Sequence, residues 1–434
     1  MSSRELIFLD SLKASRWLKP QALHDYQTPL LERLCRHAAT QTAFYAERLA
    51  RLFEAGDPVG GAFLRHRWAD IPIIGRAEVS ADPTALHARA GPAAIGPGHP
   101  ILTSGSTGRP VPFLVSDLAL VAGFAVFGRM VVDHELDPTR ALCWIRAQRD
   151  GDAPLPDGGI FPNWTIVADG LRYDLTRDAT MEQAAAWLAR RRPAYLMTYP
   201  SIILGVLDAL EAAGERVELG AVITTGENAH EDFAERVRAG FGARHVDTFA
   251  SREVGTVAVD CPVAPVKHLS AEIILTEIVR DDGEIATPGE MGRVVATPLY
   301  GYSMPLIRYQ TGDYAVQGSA APCVCGRGLP TLERVLGRTR NLLRLPDGSK
   351  RSPGGLGSLG EHLSMRRYQL VQTAVDHCEL RYVADPEGRL ADFDGARALL
   401  QERIGWPLTI DFIPVDDIPR LHGGKFEDCI SLVP

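Results

Sequence analysis

A chain of 434 residues with a formal net charge of −8 is longer than one ordinary hydrophobic core, and too acidic for nucleic acid to be its primary partner. Hydrophobic residues at 45% and charged residues at 23% give the balance of a folded, water-soluble protein with at least two domains. Seven cysteines over this length do not make a disulfide framework.

The N-terminal apolar patch Leu6-Ile7-Phe8-Leu9 is too short for a secretory signal. No stretch reaches the ~20 apolar residues that span a bilayer, so a cytoplasmic protein without a membrane partner is expected. The first ~100 residues read as largely helical, with apolar residues at helical spacing from Leu23 through Leu52. The polar loop Thr103-Ser104-Gly105-Ser106-Thr107-Gly108-Arg109-Pro110 follows. Strands and helices then alternate. Ala141–Ile145 and Tyr195–Thr198 read as strands, and Pro200 suits the first turn of a helix with Ile202, Ile203, Val206, Leu207 and Leu210 on its apolar side. Ala221–Thr225 is the next strand, His230–Ala239 a helix and Arg244–Phe249 a strand. This alternation predicts an α/β architecture.

Beyond about Arg308 the strands shorten and turn residues separate them, as in Leu345-Pro346-Asp347-Gly348-Ser349. Gln369–Ala374 and Cys378–Val383 read as paired strands, Ala396–Ile404 as a helix and Leu408–Pro414 as a final strand. The pattern predicts a large N-terminal α/β domain, 1–337, and a small α+β domain, 338–434, beginning at Gly337-Arg338.

Five groups carry chemistry. The first is the polar loop, with four hydroxyls, two glycines and Arg109 in eight residues. Its glycines allow backbone N–H groups close to an anion, although the spacing is not that of a Walker loop. Taken alone it also reads as a surface turn. The second is Asp247-Thr248-Phe249-Ala250-Ser251-Arg252-Glu253, at a strand end, where Glu253 can hold Mg²⁺ by one carboxylate or simply cap a turn. In the third, Pro305 to Asp313, an apolar run ends in a turn at Gly312, and Asp313 can accept hydrogen bonds from a ribose diol. The fourth, Gly423-Gly424-Lys425, carries a long cation behind two glycines, or is a basic tail. The last is Cys261 and His268 with Cys323-Val324-Cys325: four donors for a shared Zn²⁺, or three reduced thiols and an unrelated histidine.

In this order the groups resemble the adenylate-forming superfamily of acyl-CoA synthetases and adenylation domains, over nearly the whole chain, and most of all the phenylacetate-CoA ligase branch. Thr103 to Pro110 matches the family's phosphate loop, and Thr225-Gly226-Glu227 its nucleotide-binding strand end. Phe249 to Glu253 resembles the Tyr-Gly-x-Thr-Glu motif, and Tyr309 to Asp313 the Tyr-Arg-Thr-Gly-Asp motif. Gly337-Arg338 matches the hinge, and Lys425 the catalytic lysine. The branch also carries a Cys/His group with Cys-x-Cys-Gly-Arg, which here is Cys261, His268, Cys323, Cys325, Gly326 and Arg327. The chain makes four departures from the pattern: Phe249-Ala250 replaces Tyr-Gly, Arg252 a hydroxyl residue, Gln310 an arginine and Asn341 the hinge aspartate.

The resemblance implies an ATP-dependent ligase with a mobile C-terminal lid. It forms an acyl-AMP from a small carboxylic acid, aromatic in kind, releases pyrophosphate, and passes the acyl group to CoA. A carrier-protein thiol or an amine of a natural-product pathway is the alternative acceptor, and a non-catalytic zinc-stabilised nucleotide-binding protein the alternative class. It assigns the polar loop, Gly226, Glu227, Phe249, Ala250, Ser251, Asp313 and Arg338 to ATP and AMP. Glu253 is assigned to Mg²⁺, Arg252 to phosphate, Lys425 to charge neutralisation, and the Cys/His group to a structural Zn²⁺. A homodimer is compatible with this reading.

Overall fold

A computed structural model describes residues 3–50, 68–103, 111–146, 158–229, 232–354, 356–386, 388–420 and 425–433. They divide into two compact units assembled from separated stretches of chain: 1–141, 161–172 and 247–335 in one, and 142–160, 173–246 and 336–434 in the other. Strand and helix alternate as the sequence pattern predicts.

The first unit opens with helices Ser3–Ser15, Pro20–Gln41 and Ala43–Ala50. The periodicity that begins at Leu23 is therefore divided between two helices, and Thr42 marks the break. Its buried hydroxyl donates to the Ala38 carbonyl at 2.9 Å and accepts the Tyr45 N–H at 3.1 Å, closing one helix and capping the next. Leu23, Leu31, Leu34, Cys35 and Ala38 share the buried face. The antiparallel hairpin of Gly98–Thr103 and Val111–Ser116 ends on the pair Thr103–Val111, so its two strands bracket the polar loop.

A largely antiparallel sheet fills the rest of this unit. Its strand order is Ile274–Val279, Met291–Pro298, Tyr309–Gln317, Thr331–Arg338, Lys267–Leu269, Gly255–Asp260 and Arg244–Ser251, the fourth and last contributing only their residues in this unit. One expectation needs correction here. Gly312 does not end a strand in a turn, because Tyr309–Gln317 runs on through it. Arg293 pairs with Tyr314 but Val295 pairs with Gln310, so Thr311, Gly312 and Asp313 form a bulge. Gly312 takes φ +85°, a left-handed conformation that a side chain would strain.

In the second unit Ala221–Thr225, Tyr195–Thr198 and Leu142–Arg146 lie side by side and parallel. Their runs are apolar on both faces, as parallel strands require. Trp187, Leu188, Ile203, Val206, Phe233 and Phe241, from helices Met181–Arg191, Pro200–Ala212 and Phe233–Phe241, fill the core around them. The last helix, expected over His230–Ala239, is described from Phe233; residues 230 and 231 lie outside the described residues. Further along, the predicted turn at 345–349 joins Leu343–Arg344 to Lys350–Arg351. Met365–Ala374 and His377–Ala384 form an antiparallel hairpin flanked by parallel edge strands Cys429–Ser431 and Thr409–Pro414. Helix Phe393–Ile404 covers this four-stranded sheet, and Leu343, Leu356, Leu370, Leu380, Leu400 and Cys429 make its core.

Candidate functional site

The Cys/His group is brought together within the first unit. Cys261 follows strand Gly255–Asp260, His268 lies on the adjoining Lys267–Leu269, and Cys323 and Cys325 sit on a tight turn closed by Gly326 N–H donating to the Cys323 carbonyl at 2.8 Å. One ligand atom from each of the four falls within 4.8 Å of all the others. The Cys261 and Cys323 sulfurs are 3.8 Å apart, too far for a disulfide. That distance is the edge of a tetrahedron of Zn–S bonds of ~2.3 Å, about 3.8 Å. His268 Nδ1 lies 3.2 Å from the Leu329 carbonyl, and Nε2 lies 3.2 Å from Cys325 Sγ. A proton on Nδ1 donated to that carbonyl leaves Nε2 free to ligate. Burial, with Arg327 and Arg129 nearby, holds His268 below its ordinary pKa and so favours the neutral ligating form. Burial pushes the Cys323 thiol up to about 11, whereas at Cys325 the Arg327 backbone and guanidinium outweigh burial and bring the thiol below its usual value. The donor set fits a closed structural Zn²⁺ site.

Arg252 and Glu253 occupy the three-residue tip of a hairpin, between the paired residues Ser251 and Gly255, where Gly255 has φ +91°. The Arg252 guanidinium donates to the Leu102 carbonyl at 2.7 Å, immediately before Thr103. Glu253 has a side chain only 9% exposed and stands 3.6 Å from Arg76. Phe249, Ala250 and Ser251 form the strand leading to the tip, half-buried. Asp313 is buried within its bulge, and its N–H donates to the Thr311 hydroxyl at 3.3 Å. Residues Ser104 to Pro110, including Gly105, Ser106, Thr107, Gly108 and Arg109, lie outside the described residues.

The second unit brings Gly226, Glu227 and Lys425 together. Gly226 ends strand Ala221–Thr225 with φ +78°; a Cβ there would lie 3.0 Å from the Tyr199 ring and 3.4 Å from the Lys425 ammonium. That ammonium is 5.7 Å from the Tyr199 ring centroid. Glu227 accepts the N–H and hydroxyl of Ser201, at 3.1 and 3.2 Å, and the N–H of Phe426 at 2.6 Å. Burial raises its pKa, against these donors and Arg420. At Gly337-Arg338, Gly337 has φ +92° and Arg338 N–H donates to Asn341 Oδ1 at 2.8 Å. Gly423 and Gly424 lie outside the described residues.

Several contributors had no signal in the sequence. Arg76, Leu102 and Arg420 belong to no motif and reach their partners across long separations. Arg308 lies inside the Pro305–Asp313 run but has no role assigned there; it is buried at φ +52°, paired with Glu277 at 3.0 Å and donating to the Ala69 and Ile71 carbonyls. Trp164 is a core residue whose Nε1–H donates to the Arg140 carbonyl at 2.8 Å.

No protein-family model matches the chain. It is 24% identical over 363 residues to the phenylacetate-coenzyme A ligase of Thermus thermophilus, over 76% of this chain and 80% of that protein. Its fold is similar to that of 2-hydroxyisobutyryl-CoA ligase in the postadenylation state with R3-HIB-AMP (TM-score 0.76, 17% identity, 96% of this chain and 91% of that one). It is also similar to an anthranilate CoA ligase in complex with anthranoyl-AMP (TM-score 0.56, 14% identity, 76% of this chain and 65% of that one).

Proposed function

We propose that this chain, an adenylate-forming ligase of the phenylacetate-CoA ligase branch, activates a small aromatic carboxylic acid as its acyl-AMP and transfers the acyl group to CoA. The observation that carries the proposal is the placement of Lys425 beside Gly226 and Tyr199, at the end of a parallel strand, where α/β folds bind ligands. The aromatic assignment is supported by the acids named for two of the relatives, phenylacetate and anthranilate, and by Tyr199 at the start of a helix.

In the first half-reaction an oxygen of the acid attacks the α-phosphorus of ATP. A new C–O–P linkage forms, the bond to the β-phosphate oxygen breaks, and pyrophosphate leaves with that electron pair. Positioning and charge neutralisation supply most of the catalysis. The polar loop around Thr107 cradles the leaving pyrophosphate, Asp313 takes the ribose and Lys425 offsets charge on the α-phosphate. Glu253, with Arg252 beside it for phosphate, would hold Mg²⁺, which offsets phosphate charge when bound. In the second half-reaction the CoA sulfur attacks the acyl carbon, the C–S bond forms, AMP departs and the thiol proton passes to solvent. Arg338 and Asn341 mark the segment about which the 338–434 lid turns. Cys261, His268, Cys323 and Cys325 would hold a structural Zn²⁺ that ties the 261–268 hairpin to the 323–325 turn.

Lys425→Ala tests this reading. Acid-dependent pyrophosphate release should fall ~10²-fold or more. The same variant, given synthetic acyl-adenylate and CoA, should still form thioester at a substantial rate. Equal loss in both half-reactions by a folded variant would overturn the lid assignment, and no loss in either would remove Lys425 from the chemistry. Offering a carrier-protein thiol or an amine in place of CoA identifies the acceptor.

A further inference from the structure

We infer that Glu227 is a positioning residue for Lys425, because one buried carboxylate joins the first turn of helix Pro200–Ala212 to the backbone of the residue that follows the lysine. The inference rests on the adenylation reading above; in place of the nucleotide contact that the resemblance implies for Glu227, it gives this residue a role exerted through Lys425, since both carboxylate oxygens are taken by Ser201 and Phe426.

Three donors converge on Glu227. Two come from Ser201, at the start of the helix, where unpaired N–H groups and the helix dipole favour a negative charge. They would suffice for a cap. The third, the Phe426 N–H at 2.6 Å, arrives from 199 residues along the chain and has no part in capping. Its effect is on the neighbouring residue. A hydrogen bond to this N–H fixes the Lys425–Phe426 peptide plane, and with it the direction in which the lysine side chain leaves the backbone.

The other flank is held through the same pair. Arg420 donates to the Ser201 hydroxyl and to the Ser201 carbonyl, the latter at 3.4 Å. The hydroxyl thus receives from Arg420 and gives to Glu227. Chain on both sides of Lys425 is tied to one Ser–Glu pair, and the ammonium is left beside Tyr199 and Gly226. The Arg177 guanidinium also lies against Tyr199, 4.4 Å from the ring centroid, so the ring that meets the lysine is itself held by a second contact. A buried carboxylate is a costly way to cap a helix that a serine or aspartate could cap in water. Positioning a second segment explains its use here.

Glu227→Gln keeps the volume but sets an amide NH₂ against the donors from Ser201 or Phe426. Acid-dependent pyrophosphate release should lose about tenfold or more in kcat, with the KM for ATP within about twofold of wild type. Thioester formation from synthetic acyl-adenylate should be unchanged. Since Glu227 acts through Lys425, the Glu227→Gln/Lys425→Ala double variant should be no slower in adenylation than Lys425→Ala alone. Ser201→Ala retains Glu227 and two of its donors, removes the hydroxyl that links Arg420 to Glu227 while leaving Arg420 the carbonyl of residue 201, and should show a smaller loss confined to the same half-reaction. It decides the matter if Glu227→Gln does not fold. Wild-type adenylation in the variants, equal loss in both half-reactions, or independent multiplication of the Glu227 and Lys425 effects would overturn the proposal. If wild-type protein released no pyrophosphate with any acid while Lys425→Ala was equally inert, the adenylation reading itself would fall first.

Discussion

Cys325→Ser should abolish Zn²⁺ binding at the Cys/His group, if that group holds the first unit together as proposed. The four donors come from two adjoining strands and from a turn more than fifty residues further along. Binding therefore requires the native fold, and its free energy adds to folding stability. At free zinc a hundred times its dissociation constant, the stabilisation is about 2.7 kcal/mol. For a cooperative unit of 150–250 residues, each kcal/mol moves the melting temperature by about 2–4 °C. Losing the site should then lower the melting temperature by roughly 5–10 °C. The assay pairs elemental analysis with thermal melts of wild type and Cys325→Ser, each with and without a chelator. Wild type should carry about one Zn²⁺ per chain and lose stability with chelator; the variant should begin low and not respond. Active wild-type protein free of zinc, or melting indifferent to chelator, would refute the reasoning, and the 3.8 Å sulfur spacing would then be that of two packed thiols.

Glu253→Gln should weaken activity strongly and shift its Mg²⁺ dependence to higher concentration, because a neutral amide holds the ion poorly; an unchanged Mg²⁺ titration would free Glu253 from that role. Arg252→Ala should raise the apparent KM for ATP about tenfold, through loss of the bond to the Leu102 carbonyl beside the polar loop as well as of a cation for phosphate. ATP kinetics like those of wild type would show that neither contact matters. Asn341→Asp should destabilise the protein by ~1–3 kcal/mol, since the Asn341 amide donates to the Cys429 carbonyl at 2.7 Å and a carboxylate would face that oxygen with a second acceptor. Thermal melts at neutral pH check this, and an equal or higher melting temperature contradicts it.

Local rules made much of the fold legible. Pro200 announced a helix because its fixed φ and missing N–H suit the first helical position, and the helix begins there. The apolar runs at Tyr195–Thr198 and Ala221–Thr225 read as strands and are buried parallel strands. Gly312 misled for a physical reason: left-handed glycine serves bulges as well as turns, and only the pairing of Tyr309–Gln317 with its neighbour separates the two. At the candidate site residue types at informative spacings were legible, but not what each one touches. Glu227 was legible as the end of a strand, whereas its bond to Phe426 spans 199 residues and Arg420 reaches Ser201 across 219. Such contacts leave no period in the chain, since both partners are ordinary polar residues whose meeting is decided by tertiary packing.

The departures from the family pattern make the same point from the other side. An asparagine where the hinge motif has aspartate looks, in sequence, like a lost charge. In the structure its carbonyl oxygen accepts the Arg338 N–H at 2.8 Å while its nitrogen donates to the Cys429 carbonyl at 2.7 Å. An ionised carboxylate has only acceptors and can make the first bond alone. The amide therefore links Arg338 to an edge strand of the 365–384 hairpin sheet, a link that aspartate could not make at neutral pH. Arg252 follows the same logic. A hydroxyl there would have to find phosphate within its short reach, whereas the guanidinium extends to Leu102 and keeps further donors for an anion. Each substitution exchanges one hydrogen-bonding inventory for another, and its consequence follows from the partner present rather than from the residue replaced.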